Sequence, residues 1–176
     1  MIALFSLNHV YLAHKALLSS RSHPLRDLCN KKKKRGQTIT VEGVKYVDFR
    51  NMLKLMYTGK VIVRSDERYK NLRDLLKKYP LEFKDKKLYK EDGHILRIPN
   101  NTFNSLSNDK HYSDILLLVN GKQFYCHKWI LAARSGFFND LLSEDPVAGA
   151  EMHEWSAPKE TDSELFSILL QFVYSG

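Results

Sequence analysis

Two histidine–lysine pairs are the residues of this 176-residue chain whose types could do acid–base or metal chemistry. His14-Lys15 and His127-Lys128 each join an imidazole, which titrates near neutral pH, to a cation. Neither histidine has a carboxylate partner at a fixed offset, as a general acid–base pair would need. The histidines and cysteines also lack zinc-ligand spacing. The pattern therefore supports neither a metal site nor proton transfer.

Nucleophilic and cofactor chemistry also lack their sequence motifs. Ser22 and Ser135 follow arginines without the glycines of a nucleophile elbow. P-loop, GxGxxG and paired-carboxylate motifs are missing from the sequence. Cys29 and Cys126 lie among apolar residues, which favours buried free thiols in a reducing compartment. We predict a non-enzymatic protein that uses no cofactor.

These residues recur because one passage is written twice, about 113 residues apart. Residues 11–29 read YLAHKALLSSRSHPLRDLC, and residues 124–142 read FYCHKWILAARSGFFNDLL. A second block, FRNMLKLMYTG at 49–59, matches FSILLQFVYSG at 166–176 after a slightly longer interval. Solenoid repeats usually have periods of roughly 20–50 residues. A period this long indicates tandem domains. The first block coincides at His14/His127, Lys15/Lys128, Leu18/Leu131, Arg21/Arg134, Ser22/Ser135, Asp27/Asp140 and Leu28/Leu141.

The elements of the second copy follow from turn and spacing signals. Asn120-Gly121 between two strand-like runs predicts a β-hairpin. Gly136 divides the next apolar stretch into two short helices. A strand near Trp155 follows, and the capping-box pattern Thr161–Glu164 opens a last helix. The helical spacing predicts that its buried face consists of Phe166, Leu169, Leu170 and Val173.

The first copy repeats this order and then continues. Its corresponding helix is predicted to end near Gly59. A strand at 61–63 and an amphipathic helix at 65–79, stopped by Pro80, come next. The inward residues of that helix are predicted to be Tyr69, Leu72, Leu76 and Tyr79.

The predicted fold class is α+β, with two units that each hold a small β-sheet flanked by short helices. We place the first domain at residues 1–83 and the second at 113–176. Residues 84–112 are polar and are predicted to connect the two, with a further strand at 94–98.

The net charge of +8 is unevenly distributed between the two copies. Residues 1–107 hold 23 Lys/Arg against 10 Asp/Glu, whereas residues 108–176 hold 5 against 10. The runs at 31–35 and 68–78 leave nucleic-acid binding as a rival hypothesis, although they lack a reader motif and interleaved aromatic residues. We favour solvated surface.

The sequence shows neither a membrane-spanning run nor a signal peptide, which favours an intracellular protein. No apolar run approaches the roughly 18–20 residues that span a bilayer, and the amino-terminal stretch lacks the basic region of a signal peptide. We predict a cytoplasmic protein without a membrane partner. Lys31 to Arg35 are a candidate nuclear localisation signal, and short basic runs often match by chance.

The ordered motifs resemble the BTB/POZ domain family. The family's opening signature is similar to SDILLLVNGKQFYCHKWILAARSGFFNDLL at 113–142, and its helix-ending motif is similar to MYTG at 56–59 and FVYSG at 172–176. Tandem copies resemble the paired domains of ankyrin-repeat BTB proteins and of the family of the inhibitor of Bruton's tyrosine kinase. The resemblance implies that His14 and His127 pack at helix starts.

Both ends depart from the complete family pattern. Met1 stands where the second copy has Asp114, and the second copy stops at Gly176 before the strand and helix that follow Gly59 in the first. We therefore expect a fragment of a longer protein.

The resemblance also implies partners and the residues that would bind them. Contact with cullin-3 would use the helix that carries Phe138, Asp140, Leu141 and Leu142. A hydrophobic-x-Glu element would complete it, and both Leu142-Ser-Glu144 and Met152-His-Glu154 fit that short pattern. The first copy has Asn30-Lys-Lys at this place, so we expect binding at the second. Other implied partners are a second copy of the chain, other BTB proteins and a substrate protein whose identity the sequence leaves open.

Asp114 and Lys128 match a charged pocket of the family. One interpretation is engagement of a ligand or corepressor. The preferred one is an ion pair that holds strand against helix.

Besides nucleic-acid binding, three interpretations of the function remain open from the sequence. The leading hypothesis is a protein-interaction module whose parent is a substrate adaptor of a cullin-3 ubiquitin ligase. The alternative is an oligomerisation scaffold or transcriptional-regulator arm without a ligase role. A third reading is a product without autonomous activity that pairs with the full-length protein as a dominant negative.

Overall fold

The chain forms two compact units, Met1–Thr102 and Phe103–Gly176. The computed structural model describes residues 2–6, 9–31, 38–82, 89–91, 95–98, 106–143 and 152–175. Helices and small sheets alternate in both units, which confirms the predicted α+β class.

The first unit begins with a three-stranded sheet and a helical pair. Strand β1 (Ile2–Ser6) lies between β2 (His9–Ala13) and β3 (Thr38–Thr40), antiparallel to the first and parallel to the second. Helices α1 (Lys15–Arg21) and α2 (His23–Lys31) connect β2 to β3.

The rest of the first unit adds a long helical pair and a second sheet. Helix α3 (Tyr46–Thr58) is followed by β4 (Lys60–Ile62) and α4 (Asp66–Lys78). Strand β6 (Ile95–Arg97) then lies antiparallel between β4 and β5 (Tyr89–Glu91). The segment predicted as a connection thus contributes two strands to the first unit, and the predicted domain boundaries stay a prediction.

The second unit repeats the opening arrangement. Strand β7 (Ile115–Val119) lies between β8 (Lys122–Cys126), to which it is antiparallel, and β9 (His153–Ser156), to which it is parallel. Helices α5 (Lys128–Arg134) and α6 (Gly136–Ser143) follow the hairpin. Helix α7 (Ser163–Ser175) ends the unit.

The hairpin between β7 and β8 has the predicted tight turn. Asn120 and Gly121 both have positive φ angles, 45° and 78°, as a two-residue type I′ turn requires. The pairing Ile115↔Cys126 also corresponds to Ile2↔Ala13 in the first unit. The prediction of the hairpin is confirmed.

The end of α3 agrees with the prediction from the sequence, whereas the start of α7 differs from it. Gly59 ends α3 in the left-handed region, with φ 71°, as predicted. At the start of α7, however, the Asp162 carboxylate accepts from the main-chain N–H groups of Glu164 (2.7 Å) and Leu165 (3.1 Å). Asp162 is therefore the capping residue, one position after the predicted Thr161, because its short carboxylate reaches two free amides.

Burial of the amphipathic helices also departs from the prediction at single residues. In α4, Leu72 and Tyr79 are buried as predicted, but Leu75 is also buried, while Tyr69 and Leu76 are only partly covered. In α7, Phe166, Leu170 and Val173 are buried, whereas Leu169 remains exposed. The predicted inward position of Leu169 was wrong because the apolar residues of α7 cover more than one face.

The described part of the chain contains no helix that is both long enough and apolar enough to cross a bilayer.

Candidate functional site

Each unit joins its two repeated sequence motifs through one histidine and one tyrosine. In the second unit, the His127 main-chain N–H donates to the Tyr174 hydroxyl at 2.9 Å, and the ring Nδ1 lies 3.1 Å from that oxygen. In the first, the corresponding distances between His14 and Tyr57 are 2.9 and 3.0 Å. The hydroxyl therefore ties the start of α5 or α1 to the last turn of α7 or α3.

Burial sets the protonation of this contact in the second unit. Desolvation lowers the pKa of His127, which favours the neutral imidazole. Burial also raises the pKa of the Tyr174 hydroxyl and that of the Cys126 thiol, the latter to about 12. A neutral imidazole, a protonated phenol and a protonated thiol suit a packing contact, whereas base or nucleophile chemistry needs accessible, ionisable groups.

Asp114 lies at the junction of the sheet and α5. Its carboxylate accepts from the Lys128 main-chain N–H at 2.7 Å, so it caps the helix from outside. Its own main chain bonds Cys126 at the end of β8 and His153 at the start of β9. The structure thus brings the predicted pair Asp114 and Lys128 together through the backbone of the lysine. Their role as a charged pocket stays a prediction.

The predicted cullin-binding helix corresponds to α6, which divides into an inner and an outer side. Phe138 is only 2% exposed and packs in the core, with its ring centroid 6.3 Å from that of Trp155. Asp140 is exposed, and Leu141 and Leu142 are half-buried. Because Phe138 is buried, it cannot contact a partner directly in this conformation. Its role is to hold α6 against the core, and direct contact would use the exposed residues around it.

Phe137 is a surface residue that the sequence reasoning did not single out. Its side chain is 61% exposed, and its ring contacts Trp155 at a centroid distance of 6.1 Å. The two adjacent phenylalanines are a sequence signal that could have found it, because neighbouring residues of a helix do not face the same side. We call Phe137, Asp140, Leu141 and Leu142 the α6 surface.

Strand β9 packs beside α6 through Trp155, and it carries one of the two predicted hydrophobic-x-Glu elements. Glu154 is exposed, and Met152, just before the strand, is partly exposed. The competing element ends at Glu144, which lies outside the described residues.

In the first unit, the start of the corresponding helix α2 is held by Glu82. The Glu82 carboxylate accepts from the His23 main-chain N–H at 2.8 Å, contacts the His23 ring and lies 3.9 Å from the Arg26 guanidinium. Pro24 stands at the position of Phe137. Pro24 is half-buried and Cys29, at the position of Leu142, is buried. The α6 surface, with Phe137 exposed and Leu142 half-buried, therefore presents more apolar side chain than its counterpart.

Metal binding finds no support in the described ranges, where His, Cys, Asp and Glu residues form no group of three placed to hold an ion. Of the predicted basic run at 31–35, only Lys31 lies within the described residues, and it is exposed.

Several known proteins have sequences related to part of this chain. BTB/POZ domain-containing protein 7 from Mus musculus is 39% identical over 71 residues, which are 40% of this chain and 6% of that protein. The inhibitor of Bruton tyrosine kinase from Xenopus laevis is 29% identical over 73 residues, 42% of this chain and 5% of that protein. BTB/POZ domain and ankyrin repeat-containing protein COCH from Pisum sativum is 34% identical over 84 residues, 42% and 17% of the two chains.

The matched region is thus a small part of each relative's length. A sequence profile of the BTB/POZ domain matches residues 2–90 and again residues 103–176.

Proposed function

The chain belongs to the BTB/POZ domain family, whose domains mediate protein–protein interaction, and from this we propose that two such domains in tandem serve a cullin-3 ubiquitin ligase as a substrate adaptor. The proposal is of a non-enzymatic role in the cytoplasm. A substrate protein would be recruited by parts of the parent protein, and the second unit would contact cullin-3.

The observation that carries the proposal is the difference between the α6 surface and the corresponding part of α2. Phe137 is exposed, with Leu141 and Leu142 half-buried beside it and the Asp140 carboxylate at its edge. Apolar side chains ringed by polar groups are the usual centre of a protein interface. In the first unit, the aligned Pro24 is half-buried and Cys29 is buried.

A second supporting feature is the β9 strand that adjoins α6. Met152, just before the strand, and Glu154, within it, supply an exposed apolar side chain and an exposed carboxylate. Met152-His-Glu154 and Leu142-Ser-Glu144 both stay candidates for the hydrophobic-x-Glu element of the proposal.

The test is a pull-down of the whole chain by the amino-terminal region of cullin-3, with molar mass from light scattering on the same sample. We expect Phe137→Asp to reduce retention at least about tenfold, since a central apolar residue of an interface can contribute about 2 kcal/mol. Asp140→Arg, at the edge, should reduce retention by less. Asp27→Arg changes the exposed aspartate of the first unit and is the matched control.

Two results would contradict the proposal. Retention that survives both α6 changes would show that the surface is wrong. A folded chain that self-associates without retaining cullin-3 would favour the oligomerisation scaffold instead. Glu154→Ala separates the two hydrophobic-x-Glu elements, because only the β9 element loses its carboxylate.

A further inference from the structure

The first unit holds a cavity between the start of α3 and the second half of α4. Its volume is about 300 Å³, and the loop that precedes α3 forms its remaining wall. Every lining residue lies between residues 43 and 78, so the first unit builds the cavity from its own segments. The groups that matter chemically are a carboxylate, a carboxamide, two apolar side chains and two ammonium groups: Asp48, Asn71, Val44, Leu75, Lys45 and Lys78.

The Asp48 carboxylate is a buried charge that the first unit satisfies only in part. The residue is 5% exposed, and its side chain accepts a hydrogen bond from the Asn71 amide. The ion pairs between described residues do not include it. Desolvation raises the pKa of this carboxyl, against a smaller opposite effect of Asn71. Since a carboxylate has acceptor sites for about four hydrogen bonds, Asp48 can still accept from a bound molecule.

The cavity also has an apolar part. Val44 and Leu75 are both only 6% exposed, and both line it. Methylene groups that enter the cavity beside these side chains would leave water, which favours binding. A ligand that reaches Asp48 should therefore carry its polar group on a hydrocarbon stem.

Two lysines supply positive charge at the exposed part of the cavity. The Lys45 ammonium lies 3.4 Å from the Glu67 carboxylate, in a pair whose side chains are both exposed. The Lys78 ammonium donates to the main-chain oxygen of Glu42 at 3.2 Å. Exposed pairs are weak, so a ligand carboxylate can compete for both ammonium groups. A ligand with a cation alone would instead be repelled by them.

We propose that this cavity binds a small amphoteric molecule, in which an ammonium group and a carboxylate are joined by an apolar stem. The ammonium group donates to Asp48, the stem lies against Val44 and Leu75, and the carboxylate lies near Lys45 and Lys78. A free ω-amino acid has this chemistry, and so does a lysine at the carboxyl terminus of a polypeptide. The site lies in the first unit and does not depend on cullin binding by the second.

The second unit does not repeat this site. Under the alignment of the second repeated block, Leu165 of α7 stands at the position of Asp48. Leucine cannot accept a hydrogen bond from an ammonium group. The proposal therefore predicts one bound molecule per chain.

The test titrates 6-aminohexanoate into the whole chain and follows the protein by NMR. We expect saturable shifts of the Gly43 main-chain N–H and of the Asn71 side-chain amide, because both residues line the cavity. Hexylamine lacks the carboxylate, and hexanoate lacks the amine. Each should bind at least about tenfold more weakly, as the loss of one hydrogen bond between charged groups implies.

Changes in the protein locate the two charges. Asp48→Asn keeps the size of the side chain and should weaken 6-aminohexanoate binding at least about tenfold. Lys45→Gln combined with Lys78→Gln should bring its affinity close to that of hexylamine. Asp74→Asn is the matched control, because Asp74 lines the same cavity but is exposed and bonded to Lys77 at 2.8 Å. Circular dichroism checks that each variant keeps the fold.

Two peptides distinguish the sources of the ligand. One ends in lysine with a free carboxylate, and the other is the same peptide with a carboxyl-terminal amide. Tighter binding of the acid than of 6-aminohexanoate would assign the site to a polypeptide terminus, provided that the amide binds weakly. The reverse order would assign it to a free ω-amino acid.

The proposal is overturned if 6-aminohexanoate causes no saturable shifts at Gly43 and Asn71. Equal binding of hexylamine or hexanoate would also overturn it, because one of the two charges would then be unused. Both results come from the unmodified chain, so they decide the question even if a variant fails to fold. Equal losses in Asp48→Asn and Asp74→Asn would place the ammonium group elsewhere and reject the site.

Discussion

Helices α3 and α7 arise from the same repeated block, yet one lies inside its unit and the other lies at the surface. Leu55 of α3 is fully buried, while Phe172, at the aligned position of α7, is 69% exposed. Both helices keep the inner contact, in which Tyr57 or Tyr174 bonds the histidine at the start of α1 or α5. The inner face is thus a property of the repeat, and the outer face depends on what packs against it.

The largest difference in stability between the two helices should appear when a carboxylate is placed at each of the two aligned positions. Leu55→Asp should destabilise the first unit by at least about 4 kcal/mol, because an unpaired charge would enter an apolar core. Phe172→Asp should change stability by no more than about 0.5 kcal/mol, as expected for a solvent-facing side chain.

Urea unfolding checks this pair of variants. Circular dichroism reports both units, while the two tryptophans, Trp129 and Trp155, report the second unit alone. Equal losses in the two variants would mean that Phe172 is covered in solution.

A smaller effect should separate the two histidine–tyrosine contacts. Tyr174→Phe leaves the fully buried His127 amide without its acceptor, which should cost about 1–3 kcal/mol. Tyr57→Phe should cost less, because His14 is only half-buried and water can replace the hydroxyl. The urea midpoints of the two variants measure the difference, and a larger loss for Tyr57→Phe would reverse the expected order.

The smallest effect should appear as a pH dependence of the second unit. Burial lowers the pKa of His127 in the folded state, so the unfolded chain binds more protons below the ordinary histidine value of about 6.5. Stability conferred by the neutral imidazole is therefore present above that pH and is lost as the pH falls. The slope cannot exceed about 1.4 kcal/mol per pH unit for one proton.

Tryptophan-detected urea unfolding between pH 7.5 and 5 measures this slope. The His127→Asn variant should show a shallower dependence, because asparagine does not titrate. An unchanged slope in that variant would assign the pH dependence to other groups.

Local signals predicted the turn at Asn120-Gly121 and the end of α3 at Gly59, and placed the start of α7 one residue too early. Asn120-Gly121 and Gly59 adopt the positive φ angles that their residue types suggest, because neighbouring residues alone decide such turns. The contact between His127 and Tyr174 joins residues 47 apart in the sequence, so no local rule could reveal it. Its only signal was that both motifs occur in both copies.

Periodicity could not decide which apolar side of α7 is buried. Leu169 and the buried Leu170 are adjacent, and both fit a helical stripe. An amphipathic pattern identifies the apolar positions of a helix, whereas their burial requires a partner. The seven apolar residues between 165 and 173 did indicate more than one side. Likewise, the burial of Phe138 and the exposure of Phe137 follow from how α6 packs against Trp155.

The histidine–tyrosine contact also bears on how the chain acquires its structure during synthesis. The tyrosine follows its histidine by 43 residues in the first unit and by 47 in the second. A nascent chain therefore carries each histidine, with an unpaired amide, until the ribosome has added the whole helix that brings the hydroxyl. Since domains generally fold from the amino terminus as they emerge, the first unit can close while the second is still waiting for its last turn. Slow codons between residues 58 and 174 would delay the histidine–tyrosine contact of the second unit and leave that of the first unchanged.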